Sequence, residues 1–126
     1  EEQAQALKNL SYYLKANGKI INIESSRQGL ARTNELRKIL DLDEIKEPWH
    51  NHFIDEKRWE KLEIPGLALE RVSNITSTYS LLSRVVYAKV AYGEQLKYDS
   101  DINKLALKLP NLGNIGPVRM WVWRKA

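Results

Sequence analysis

Lys19-Ile20-Ile21-Asn22-Ile23-Glu24 carries apolar side chains at consecutive positions, and how this stretch is read decides the fold. Neighbouring side chains of a strand point to opposite faces, so these residues fit a core strand of a parallel sheet covered by helices on both sides. Glu24, Ser25, Ser26 and Arg27 follow at its carboxyl end, the edge where open α/β sheets bind their ligands. Upstream, residues 1–16 read as a helix with Leu7, Leu10 and Leu14 on one face, stopped by Asn17-Gly18. That stripe expects a neighbour, and the strand expects parallel partners on at least one side.

Downstream, residues 28–40 read as a second helix. At about 100° per residue, Leu36, Ile39 and Leu40 form one stripe while Arg27, Asn34 and Arg37 lie roughly opposite. An Asn and two Arg can hold a hydroxylated or anionic ligand through oriented hydrogen bonds, and the bland alternative is a wet polar face. The loop Glu47-Pro48-Trp49-His50-Asn51-His52-Phe53-Ile54-Asp55-Glu56 contains both histidines of the chain. Aromatic rings beside imidazole and carboxamide groups suit a small-molecule pocket. The alternative here is a turn whose Trp49 packs inward while the histidines meet solvent.

Asp55 is placed to cap a short helix running through Glu63, with Trp59 and Leu62 facing inward and Pro65-Gly66 ending it. Leu67 to Ile75 alternates imperfectly and reads as a strand. Ser77 to Tyr92 reads as a helix with Leu81, Leu82, Val85, Ala88 and Tyr92 on one face, being long for a strand. Residues 93–117 form an expected lid or insertion with a short helix from Asp101 to Lys108, ended by Pro110. Its Gly113-Asn114-Ile115-Gly116 follows no strand and opens no helix, so it is a turn and not a phosphate loop. Val118-Arg119-Met120-Trp121-Val122-Trp123 closes the chain as a strand apolar on both faces.

Composition bounds the rest. A chain of 126 residues that is 43% apolar and 29% charged fits one compact domain. The net charge of +4 is spread without a run of like charge, which argues against nucleic-acid binding. Arg84 and Lys89 bracket the best apolar run, so no segment approaches the roughly 20 residues that cross a bilayer. The absence of cysteine removes any disulfide framework or thiolate metal site and favours a cytoplasmic setting.

The residues resemble the carboxyl-terminal half of a class I S-adenosylmethionine-dependent methyltransferase, from the branch that modifies sugars and small metabolites. Five stretches carry the likeness: Leu14-Lys15-Ala16-Asn17-Gly18 before Ile20 to Glu24; Gly29-Leu30 with Asn34-Glu35-Leu36-Arg37; Trp49-His50-Asn51 with Asp55-Glu56; Ser77 to Val85; and Met120 to Lys125. The resemblance implies an α/β fold, with residues 19–24, 67–75 and 118–124 as the fifth, sixth and seventh strands of a Rossmann-like sheet. Residues 1–126 are then a single partial domain facing the substrate. The glycine-rich turn and the acidic residue that hold the cofactor in that family are not in this sequence, so the S-adenosylmethionine site falls mostly in a missing amino-terminal half or partner chain.

Under the resemblance the acceptor is a small molecule, a hydroxyl of a sugar or metabolite. His50 is the candidate base, since an imidazole with a reference pKa near 6.5 takes a proton at neutral pH. Glu24 and Asn51 would orient the acceptor or the imidazole, Tyr79 and Arg84 would form the far wall, and Trp49, Arg27, Asn34 and Arg37 would line the site. No metal and no membrane are implied. A ligand-binding or sheet-completing module without catalysis is the competing reading.

Overall fold

The computed structural model describes residues 2–92, 94 and 96–126. Glu1 of the expected first helix, and Gly93 and Gln95 of the expected insertion, lie outside them. The chain is a small α/β domain with a three-stranded antiparallel sheet in the order β1-β3-β2. Its strands are β1 (Lys19–Ser25), β2 (Leu67–Asn74) and β3 (Val118–Lys125). All three lie where the sequence places them.

The expected direction and position of the first strand need correction. β1 is an edge strand, and it pairs antiparallel with β3 from Lys19 opposite Arg124 to Ser25 opposite Val118. On its other side it meets only an isolated parallel bridge between Ser26 and Ile54 among the described residues. β2 also runs antiparallel to β3, so β1 and β2 point the same way without pairing with each other. A consecutive apolar run does not reveal which neighbour a strand takes. One face of β1 buries Ile20 against Trp121 and Trp123, whereas Ile21 and Ile23 on the other face remain 60% and 58% exposed.

Ahead of the sheet, α1 (Glu2–Ser11) is shorter than expected, and Leu10 faces outward. Leu7 is buried and joins the core with Ile20, Ile54, Trp59, Ile64, Trp121 and Trp123. Trp59 meets Trp121 and Trp123 edge-on at centroid separations of 5.3 and 6.2 Å, an arrangement that indole quadrupoles favour. Asn17 takes the expected left-handed conformation, at φ 61°. The imperfect alternation of β2 has a cause: a bulge between Leu69 and Arg71 shifts the register at Glu70. Glu70 reaches across the sheet to Lys19 at 2.7 Å and lies 3.7 Å from Arg124.

The helices that follow β1 and β2 build the carboxyl end of the sheet. α2 (Arg27–Ile39) starts on Ser26, whose Oγ accepts the Gly29 N–H. Its inner face is not the expected stripe, since Ile39 is 75% exposed while Gly29, Leu30 and Thr33 are buried. Close approach decides this, because a Cβ on Gly29 would run into the Gly116 carbonyl oxygen. Thr33 Oγ1 accepts the Gly116 N–H at 2.8 Å and donates to the Gly29 carbonyl at 3.0 Å. Next, α3 (Glu56–Glu60) is capped by Asp55, as expected, but ends before Glu63.

After β2 a continuous helical segment runs from α4 (Ser77–Tyr79) through a π-helical stretch (Ser80–Val86) into α5 (Tyr87–Val90). The Tyr87 N–H donates to the Leu82 carbonyl, five residues back, which is the wide-turn pattern. This stretch buries Ser80, Ser83 and Val85, while Tyr92 of the expected apolar face is exposed. α6 (Asp101–Lys108) lies where expected.

Gly116, at φ 84°, presses its α-carbon side against Ser80. Gly116→Ala therefore meets both a left-handed backbone and an occupied space, and it is expected to cost about 1–3 kcal/mol. A urea midpoint equal to that of the parent chain would refute this contact as a constraint.

Candidate functional site

A cleft of about 350 Å³ opens at the carboxyl ends of β1 and β2, between α2 and the π-helical stretch. Its apolar lining includes Leu30, Phe53 and Val118, and its polar lining includes Tyr79, Lys46 and Arg84. Beyond Tyr79 and Arg84 lies a second hollow of about 340 Å³ that also touches Arg37. Tyr79 is the shared wall of both and of a third hollow beside α6. π-Helical turns are often found at functional sites, and this one begins directly after Tyr79 and carries Arg84.

The residues expected to form a site divide into three groups, with Glu24 apart from them. Tyr79 and Arg84 line the cleft, and Arg37 reaches the adjoining hollow. Trp49, His50 and Asn51 do not line it. The tip is a turn in which the Asn51 N–H donates to the Pro48 carbonyl at 3.2 Å. Trp49 is 90% exposed there, packing edge-on against His50 at 5.4 Å. The loop contributes its flanks instead, through Pro48 and Phe53. Those two apolar residues were the signal available in the sequence.

Arg27 and Asn34 are engaged in holding that loop. Asn34 exchanges two bonds of 2.9 Å with the backbone of Ile45, and Arg27 Nε lies 3.2 Å from Glu47 Oε2. Glu47 Oε1 accepts the Phe53 N–H at 2.7 Å. This backbone bond, with Arg27 beside it, holds the Glu47 carboxyl below the usual range in spite of some desolvation. Glu24 is half-buried near the end of β1, opposite Arg119.

A charged network that the sequence did not disclose underlies the same end of the sheet. Glu56 Oε1 lies 2.9 Å from Arg32 and 3.0 Å from Arg119, and it also accepts from the Ser26 hydroxyl. Arg119 donates to the carbonyls of Gly116 and Asn114, and Arg32 donates to Asn114 as well. The network ties α2 with its cap Ser26, α3, the 113–117 turn and β3 together behind the cleft. It acts as a frame, because its carboxylate is already saturated with donors.

Among the described residues no group of three or more His, Asp or Glu is placed to hold a metal ion. No helix of the described residues is long and apolar enough to cross a membrane. The chain matches no family model, no curated protein and no solved structure.

Proposed function

We propose that this chain is the acceptor-binding part of a class I S-adenosylmethionine-dependent methyltransferase, acting within a larger or split enzyme. The observation that carries the reading is the free edge of β1. Two strands point the same way, each followed by helix, and a cleft opens at their carboxyl ends, the position for ligands in open α/β sheets. The outer edge of β1 and its exposed Ile21 and Ile23 are fit to take a further parallel strand and its covering helix. β3 would then be the antiparallel member of a mostly parallel sheet, an arrangement common in large α/β folds. The cofactor-binding strands belong to that added segment.

The chemistry asked of this part is modest. The sulfonium methyl is already activated, and the protein aligns the acceptor with it. A hydroxyl acceptor also needs a base, and among the described residues neither a carboxylate nor an imidazole lines the cleft. Glu47 is near along the chain, but its engaged and acidified carboxyl makes a weak base. The loop has two imidazoles, His50 two residues past Pro48 and His52 beside Phe53, and the family resemblance gives the role to His50. Asn51 and Trp49 accompany it, and the cleft-lining Tyr79 and Arg84 supply the acceptor's far wall.

Calorimetry with S-adenosylmethionine tests the reading. The chain alone is expected not to bind the cofactor tightly, whereas a complex supplied with a glycine-rich strand-turn-helix segment should. Micromolar affinity of the chain alone would overturn the division of labour. A complemented complex that forms but ignores the cofactor would overturn methyl transfer and leave a sheet-completing module, which the same free edge also suits.

A further inference from the structure

Arg37 and Arg84 come together from two different elements. Arg37 donates through Nη1 to the Arg84 carbonyl and through Nε to the Asp43 carbonyl at 2.7 Å, so its guanidinium is fixed in place by backbone acceptors. Neither arginine forms an ion pair among the described residues, whereas Arg27 has Glu47 and both Arg32 and Arg119 have Glu56. Burial, followed by the charge of Arg84, lowers the Arg37 pKa. Glu94, the acid on the wall of the adjoining hollow, accepts from the Tyr87 hydroxyl at 3.2 Å. Among the described residues the main cleft has Lys46 and Arg84 on its lining and no acid.

Two neighbouring guanidiniums repel, and an anion seated between them relieves the repulsion and accepts their unused N–H groups. Apolar surface from Leu30, Phe53 and Val118 continues from this point into the cleft. We infer that the cleft selects a small molecule with an apolar body and one anionic group, phosphate or carboxylate, that binds at Arg84 and Arg37. This rests on taking the cleft as the acceptor site, and it narrows the acceptor from any hydroxylated metabolite to an acidic one.

The test is an NMR titration of the chain with phenyl phosphate, benzoate, inorganic phosphate and phenol, without cofactor. Phenyl phosphate or benzoate should shift resonances of Tyr79 and Arg84 and bind at least about tenfold more tightly than phenol, the stronger of the two naming the anion. Inorganic phosphate should bind more weakly than phenyl phosphate, because it leaves the apolar wall unused. Arg84→Gln, at an exposed position, should lose roughly ten- to a hundredfold in affinity, and Arg84→Lys should recover part of it. Equal binding of phenol and the anions, unchanged affinity in Arg84→Gln, or shifts confined to distant lysines would each overturn the inference. A complemented enzyme that transfers methyl while the chain ignores both anions would end this inference and leave the methyltransferase reading intact. Anion binding without methyl transfer would do the reverse.

Discussion

His50→Ala is expected to lower turnover of the complete enzyme by roughly 10²- to 10⁴-fold, while the stability of this chain changes by no more than about 0.5 kcal/mol. The stability half follows from the structure. His50 sits exposed at the tip of a turn and makes no hydrogen bond among the described residues, only an edge contact with Trp49. Nothing in the fold rests on it. The turnover half rests on the proposed methyl transfer to a hydroxyl, in which the base is His50 and not His52, the other imidazole of the loop. His50→Gln keeps the polarity and loses the base, so it should not restore turnover. The acidic limb of the pH profile should vanish in both variants. Steady-state kinetics with a change only in KM would reassign His50 to acceptor binding, and wild-type kinetics would remove it from the mechanism altogether.

The second large effect is structural. Removing Arg119 by Arg119→Met is expected to cost about 2–4 kcal/mol, because Glu56 keeps Arg32 at 2.9 Å but loses its most deeply buried cation. The side chains of Arg119 and Glu56 are only 5% and 14% exposed, so water cannot take over the lost contact. Glu56→Met should be similarly damaging, since it leaves Arg119 and Arg32 facing each other. The double variant should cost clearly less than the sum. Acid titration gives an independent reading. Burial raises the Glu56 pKa, but the Ser26 hydroxyl, Arg32 and Arg119 together outweigh it and hold the carboxyl below its usual range. A folded pKa below the unfolded value of about 4.3 means that this contribution is complete above that pH and is lost as pH falls through the folded value. Glu56→Gln should therefore be less stable at neutral pH and show a flatter acid limb than the parent. Parallel limbs in denaturant titrations at pH 3–6 would show that the pair contributes nothing.

The three strands were legible because apolar runs, bounded by Asn17-Gly18, Pro65-Gly66 and Gly116-Pro117, leave few other readings. Their pairing was not, because whether Ile21 faces a helix or an open edge depends on residues far along the chain. The inner face of α2 was misread for a related reason: hydrophobic periodicity rewards Leu36 and Ile39, while the packing is decided by a missing side chain at Gly29 and a hydroxyl at Thr33. Tyr79 and Arg84 lie at the cleft, and of the two aromatics that bracket the loop histidines it is Phe53 and not Trp49 that lines it, beside a Pro48 read only as a loop-former. The Glu56 network joins residues from four separate segments, each ordinary in its own surroundings.

The wide turns from Ser80 to Val86 have a consequence for how the chain tolerates changes in length. A π-helical turn holds one residue more than an α-helical turn, so deleting a single residue there would let the segment relax into the commoner helix at little cost to folding. The narrower turn closes with that one residue fewer, so side chains on either side of the stretch would keep nearly their present phase around the axis. Length variation at this one point is absorbed inside the turn, changing how Ser80 to Val86 meet the cleft while leaving the helix and the sheet behind it standing.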